Sequence, residues 1–404
     1  MNCVPWCVRE KQKGCIVSFD DTFIPYGRQS IDDDDIASVV DVLRSDWLTT
    51  GPKTAQFEKD ICDYVNVAHG VAVSSGTAAL HCAVVVAGVE EGDEVIVTPI
   101  TFAASANCVL YRNAMPVFAD VDYATMLMSP DSVKQKITSK TRAVIAVDYA
   151  GQPCDYMALR QICDQHDLVL IADCAHSLGA DINGVSPATI ADLATFSFHP
   201  VKHITTGEGG MVVTNDGARS ERMRRFRNHG IDVDHAQRAR EGAWMYGMVE
   251  LGFNYRMTDF QCALGSSQLR KLDGWIARRR EIAHMYDEAF SSLSALESLV
   301  TRSGVNHAHH LYVLRLSQKF NSGHRQEVFD SLRRQQIGVN VHYIPVYRHP
   351  YYQQNVNTSA IRCPNAEAGV DRIISLPMHS ALTDAQIGRV IGAVKNALIE
   401  LERR

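Results

Sequence analysis

The chain has 404 residues, of which 46% are hydrophobic and 21% charged, enough length for two or three domains at about 150 residues each. A formal net charge of -6 leaves no basic surplus to neutralise phosphates, which excludes a general nucleic-acid binder, and no run of about 18 apolar residues offers a membrane span. Arg9, Glu10, Lys11 and Lys13 stand where a secretion signal carries its apolar stretch, and the odd count of eleven cysteines suits reduced thiols in a cytoplasm.

In chain order, residues 1–22 are expected to form a disordered extension; its Cys3, Cys7 and Cys15 follow no zinc spacing, and no metal site is expected. Asp32 to Asp35 form an acidic helix start, and Ile36, Val39, Val40 and Leu43 recur at helical spacing behind it. A second helix is expected over Thr54 to Val65. Then His69 to Ser74 reads as a strand, broken by Ser75, Gly76 and Thr77 before the Ala-rich helix Ala78 to Ala87. That order turns backbone N–H groups and a hydroxyl outward at a helix N-terminus, where phosphate binds well.

Short β-branched runs at Glu94 to Thr98, Pro116 to Ala119, Arg142 to Val147 and Leu168 to Ala172 alternate with helical segments such as Met157 to His166. The alternation predicts an α/β fold with a large, mostly parallel sheet covered on both faces. Ligands of such sheets sit outside the carboxyl ends of the strands, the edge at which Asp173 falls. An aspartate there also serves as the cap of a following helix. Ala194 to Phe198 and Met211 to Thr214 read as strands around a tight turn with Lys202 at its centre.

Beyond this, His235 to Tyr246 reads as a mobile loop, and helices are expected over Ala263 to Trp275 and Arg278 to Leu293. From about Ser294 a smaller α+β domain is expected, with strands at Leu311 to Leu316 and Val339 to His342 and helices at Arg325 to Gln335 and Asp384 to Glu402. The organisation predicted is an extension (1–22), a large α/β domain (23–265), then a connecting helix and small domain (266–404). The arginine clusters 222–227 and 278–280 are expected to be solvated helix faces.

Six residues share one requirement. Lys202 offers an amine, Asp173 a carboxylate, Phe102 an aromatic face, and Gly76, Thr77 and Ser197 donors of the size a phosphate needs. Pyridoxal phosphate uses all of these: an amine for its aldehyde, an anion to keep its ring nitrogen protonated, a surface to stack on and donors for its phosphate.

The motifs SSGTAAL (74–80), TPITFAASAN (98–107), DCAHSLGA (173–180), FSFHPVKHITTGEGG (196–210) and LGFNYRMTDFQCALG (251–265) resemble those of the DegT/DnrJ/EryC1/StrS sugar-nucleotide aminotransferases, a group of fold-type I pyridoxal phosphate enzymes. The resemblance runs from about Ile24 to the C-terminus. With VHYIPVYRHPYY (341–352), the Lys202 motif is most similar to the C4 aminotransferases of pseudaminic acid biosynthesis.

The resemblance implies that Lys202 is the Schiff-base lysine and proton shuttle, that Asp173 pairs with the ring nitrogen, and that His176 reaches the ring oxygen. Gly76, Thr77 and Ser197 would hold the phosphate, and Phe102 would stack on the ring. Asn254 would reach the cofactor of a partner subunit, making a homodimer with shared sites the minimum active unit. His176 as a helix-start residue and Asn254 as a turn residue ahead of a helix stay open. By the same resemblance His342, Tyr343 and the loop 235–246 contact the sugar nucleotide. Relatives that remove a hydroxyl with this cofactor carry histidine at the lysine position, so transamination is implied. The donor would be L-glutamate and the acceptor a nucleotide-linked 4-keto-6-deoxy sugar, UDP-4-keto-6-deoxy-N-acetyl-L-altrosamine in the narrowest reading. Another dTDP-, GDP- or UDP-linked keto sugar is the alternative, and a non-catalytic regulator that keeps the fold is the alternative of another class.

Overall fold

The computed structural model describes residues 23–233, 242 and 244–402. The expected extension lies outside these residues, as does most of the predicted loop 235–246.

Eight strands come first: β1 (His69–Val73), β2 (Glu94–Val97), β3 (Met115–Phe118), β4 (Thr141–Val147), β5 (Val169–Asp173), β6 (Asp181–Ile182), β7 (Leu193–Ser197) and β8 (Gly210–Thr214). Seven of them form one sheet in the order β1-β8-β7-β5-β4-β2-β3. Neighbours from β7 through β3 run parallel, whereas β8 is antiparallel to both β1 and β7. The α/β architecture with a large, mostly parallel sheet is therefore as expected. β-branched residues at successive positions suit strands covered on both faces, and Val71, Val95, Ile96, Val144, Ile145, Ile171 and Val212 are all fully buried.

Helix starts are set by local chemistry. Asp32 and Asp35 exchange side chain to backbone bonds in a capping box at helix Asp33–Leu43. Ser75 caps helix Gly76–Val86 by accepting from the Ala78 N–H at 3.1 Å.

The remaining strands are β9 (Leu296–Glu297), β10 (Val305–Asn306), β11 (Tyr312–Leu316) and β12 (Ile373–Leu376). β12, β11 and β9 form a small antiparallel sheet, while β10 pairs with β6 beside the large one. Helices Leu272–Phe290, Ser322–Arg334 and Asp384–Glu402 supply Ile282, Tyr286, Leu332, Ile387 and Val394 to a second core shared with Ile24 and Leu376. The segment from Val346 to Val370 returns to the larger core through Tyr347, Tyr352 and Ala366.

Three local expectations need correction. The helix break falls between Leu269 and Leu272, not near Trp275. Residues 339–342 are not a strand; Asn340 makes one isolated bridge to Ser375. The arginine clusters are not simply solvated faces. Arg224 and Arg227 reach across to the buried Glu58 and to the carbonyls of Gly70 and Ala72, and Arg279 is itself buried. A carboxylate that binds two guanidiniums and the Ala72 N–H clamps β1 against the helices beside it.

Candidate active site

The carboxyl ends of β1, β2, β4, β5 and β7 open onto a cavity of about 700 Å³. Lining it are Gly76, Thr77, Phe102, Asp173, His176, Ser197, Lys202, His342 and Tyr343, so nine of the ten residues singled out from the sequence converge. The tenth, Asn254, lies exposed outside it on a stretch bridged to Asn228.

Close packing shapes the floor near the helix start. Gly76 abuts the end of β7 so tightly that a Cβ would lie 2.8 Å from Ser197 Cβ and 3.0 Å from its Oγ. Behind it, a Cβ on Gly210 would come within 2.4 Å of the Ser75 carbonyl oxygen. Glycines at these two positions let β8 and the turn 75–77 touch, leaving the first N–H groups of the helix and two hydroxyls facing one spot. The Ser74 N–H donates to the Tyr255 carbonyl at 2.7 Å, which ties this turn to the Asn254 stretch.

Asp173 ends β5 and is buried. Its Oδ2 accepts from Ser105 Oγ at 2.7 Å and its Oδ1 from the Ala175 N–H at 3.2 Å. No helix follows, so the capping alternative gives way to a short turn through Ser177. Burial pushes the carboxyl above the usual carboxylate range, against the pull of Ser105, Ala175 and Lys202.

Lys202 sits on the loop 198–209 between β7 and β8, which has the length that the expected strand limits leave but is not a tight turn. Its N–H donates to the His199 carbonyl at 2.9 Å, and Phe198 and Gly209 close the loop's base. Burial lowers its amine to about 8, with Asp173 opposing.

His176 belongs to the turn after β5, not to a helix start. It is buried, its Nε2 lies 3.1 Å from Tyr343 Oη, and its Nδ1 has no hydrogen-bond partner among the described residues. Its ring packs against that of His310 at 4.2 Å between centroids, and burial holds both imidazoles well below the ordinary histidine range. His342 lines the wall with both nitrogens engaged, Nδ1 with Ser375 Oγ at 2.8 Å and Nε2 with the Asn340 amide at 3.4 Å; burial takes it to about 4. Phe102 stands at the mouth, 62% exposed, with its ring 6.3 Å from that of Tyr343.

Several contributors carried no signal of their own. Ser105 and Thr101 lie within a quoted motif but are ordinary hydroxyls in sequence. Tyr26 enters the wall because the N-terminal segment is pinned by the Met378 N–H to Tyr26 carbonyl bond at 2.9 Å. Asp148 sits one layer down, accepting from Ser177 Oγ, Tyr156 Oη and the Cys154 N–H, and thereby anchors the far end of the Asp173–Ser177 turn.

The sequence profile of the DegT/DnrJ/EryC1/StrS aminotransferase family matches residues 29–395. The chain belongs to this family. Family relatives include the spore coat polysaccharide biosynthesis protein SpsC of Bacillus subtilis, 37% identical over 376 residues that cover 93% of this chain and 97% of SpsC. Among solved family structures, Spr1654 of Streptococcus pneumoniae in its PMP form superposes with a TM-score of 0.88 at 31% identity, covering 94% of this chain and 100% of that one. Helicobacter pylori PseC, an aminotransferase involved in the biosynthesis of pseudoaminic acid, superposes at 0.87 with 31% identity and the same coverage. No helix among the described residues is long and apolar enough to cross a membrane.

Proposed function

We propose that the protein is a pyridoxal phosphate-dependent aminotransferase that moves an amino group from L-glutamate to C4 of a nucleotide-linked 4-keto-6-deoxy sugar. The observation that carries this is one cavity holding a lysine amine lowered to about 8 and, at the end of the neighbouring strand, a buried carboxylate. The donor set fits the cofactor. Lys202 Nζ would hold its aldehyde carbon, Asp173 its ring nitrogen, and Gly76, Thr77 and Ser197 its phosphate. The buried Nδ1 of His176 has no partner among the described residues, and the ring oxygen of the cofactor would supply one. The solved PMP and PLP forms of Spr1654 support the same reading.

When bound, pyridoxal phosphate supplies the electron sink that acidifies a C–H bond next to nitrogen and carries the amino group from donor to acceptor. The chain's own residues do the rest. Lys202 Nζ takes the proton from Cα of glutamate and returns one at C4 of the sugar, a general acid–base role worth about 10²- to 10⁴-fold. Asp173 would keep a proton on the ring nitrogen, and Phe102, at the mouth of the cavity, would stack on the ring. Tyr343 and the wall of His342 contact the sugar.

The narrower substrate, UDP-4-keto-6-deoxy-N-acetyl-L-altrosamine of the pseudaminic route, is supported by the likeness to PseC. A homodimer is supported by the exposed apolar run around Asn254, where Trp244 and Leu251 are 81% and 78% exposed beside Met245, Met248 and Val249. Asn254 would then serve the site of the second copy, and the working compartment would be the cytoplasm.

The test is purified protein titrated with pyridoxal phosphate. A visible absorption band should form, fall on adding glutamate, and vanish in Lys202→Ala; borohydride reduction should fix the label on the peptide containing residue 202. A panel of 4-keto sugar nucleotides then identifies the acceptor. Full activity in Lys202→Ala would sink the proposal, and indifference to UDP-linked substrates would retire only the narrower one.

A further inference from the structure

Thr101, Ser105 and Asp173 form a hydroxyl chain beneath the cavity. Thr101 Oγ1 and Ser105 Oγ are 2.7 Å apart, and Ser105 Oγ lies 2.7 Å from Asp173 Oδ2. All three side chains are buried. An ionised carboxylate only accepts, so Ser105 must give its single proton to Asp173 and accept from Thr101. The direction of the chain is thus fixed by the charge at its end, and each bond polarises the next. Ser105 sits in the first turn of helix Ala104–Leu110, on the connection that leaves β2, whereas Asp173 closes β5; β4 lies between these strands. The contact therefore depends on the sheet order and not on local sequence.

Burial works against the charge on Asp173, and the groups opposing it are Ser105, the Ala175 N–H and Lys202. Lys202 would be occupied once it holds a cofactor. The Ala175 bond, at 3.2 Å, is the longer of the two hydrogen bonds. We infer that Ser105, backed by Thr101, is a positioning residue that keeps Asp173 ionised and aimed at the base it must pair with. This rests on the pyridoxal phosphate reading above and assigns to the hydroxyl chain the task of holding the anion that the reading needs.

Three variants test it: Ser105→Ala, Ser105→Thr and Thr101→Val. Removing a donor to a buried carboxylate should raise the Asp173 carboxyl midpoint in cofactor-free protein by about one to two pH units, followed by infrared difference spectroscopy against Asp173→Asn. In the loaded enzyme, the glutamate half-reaction at saturating donor should slow about 10- to 100-fold, with the half-saturating glutamate concentration within about threefold of wild type. Ser105→Thr keeps the hydroxyl and should restore both readouts. Thr101→Val should shift both in the same sense by less. A Ser105→Ala protein with an unchanged carboxyl midpoint and half-reaction would overturn the inference; so would failure of Ser105→Thr to rescue while the fold is intact. If Ser105→Ala does not fold, Thr101→Val alone decides: no shift overturns the inference. These outcomes leave the visible band at Lys202 intact, so they are distinct from failure of the cofactor reading, in which no variant and no wild-type protein forms the band.

Discussion

Lys202 is open to a quantitative test before any substrate is known. An ordinary lysine ionises near 10.5 and at pH 7 is uncharged in about three molecules per ten thousand. Burial takes Lys202 to about 8, so about one in eleven carries the nucleophilic free amine at pH 7, a gain of about 300-fold. Stopped-flow measurement of pyridoxal phosphate capture by cofactor-free protein should show a rate that rises about 90-fold from pH 6 to pH 9 and flattens above 8. The same series with a free lysine derivative divides out the titration of the cofactor itself. A rate still climbing about eightfold between pH 9 and 10 would mean an unperturbed amine and would refute the argument. Stability follows with a defined sign. The folded value lies below the unfolded one, so the unfolded chain binds the extra proton between about pH 8 and 10.5. Stability should climb across that window, and the penalty is complete below it. Lys202→Met should relieve at most about 3 kcal/mol at pH 7, less to the extent that solvent reaches the half-buried amine, read by denaturant unfolding of cofactor-free protein.

Two further outcomes follow. Gly210→Ala places a methyl 2.4 Å from the Ser75 carbonyl oxygen, so the turn 75–77 must move by about 1 Å; if that turn holds the phosphate as proposed, cofactor affinity should fall at least about tenfold by equilibrium dialysis against a stability loss of about 1–3 kcal/mol, and unchanged affinity would show that it does not. If Asn254 serves a partner's site, mixing inactive Lys202→Ala and Asn254→Ala proteins in equal parts should restore about a quarter of wild-type activity, since half the dimers are mixed and each has one intact site. No recovery after verified subunit exchange would return Asn254 to its own chain.

Strands of the large sheet were readable because β-branched runs buried on both faces leave few alternatives, and β1, β2, β4 and β7 appear within a residue or two of their expected limits. The Lys202 and Asp173 pair was readable because amine and carboxylate follow successive strand ends that the fold must bring to one edge. Two expectations failed where tertiary contacts overrode local pattern. Residues 339–342 have strand-like composition but make a single isolated bridge, between Asn340 and Ser375; the His342 carbonyl instead accepts from Tyr149 Oη, and the segment lines the cavity wall. Arg224, Arg227 and Arg279 look like surface charge until Glu58 and the carbonyls of residues 309, 310 and 378 come within reach.

By itself the sequence determined the architecture and the reactive groups, because strand periodicity, glycine turns and the chemistry of an amine beside a carboxylate are local properties. Only the tertiary structure decided what those groups experience. Ser105 reaches Asp173 across 68 positions and Tyr343 reaches His176 across 167, and the burial that lowers Lys202 comes from elements spread over the whole chain. Desolvation and hydrogen-bond partnership are sums over neighbours in space, and no neighbouring stretch of sequence contains them.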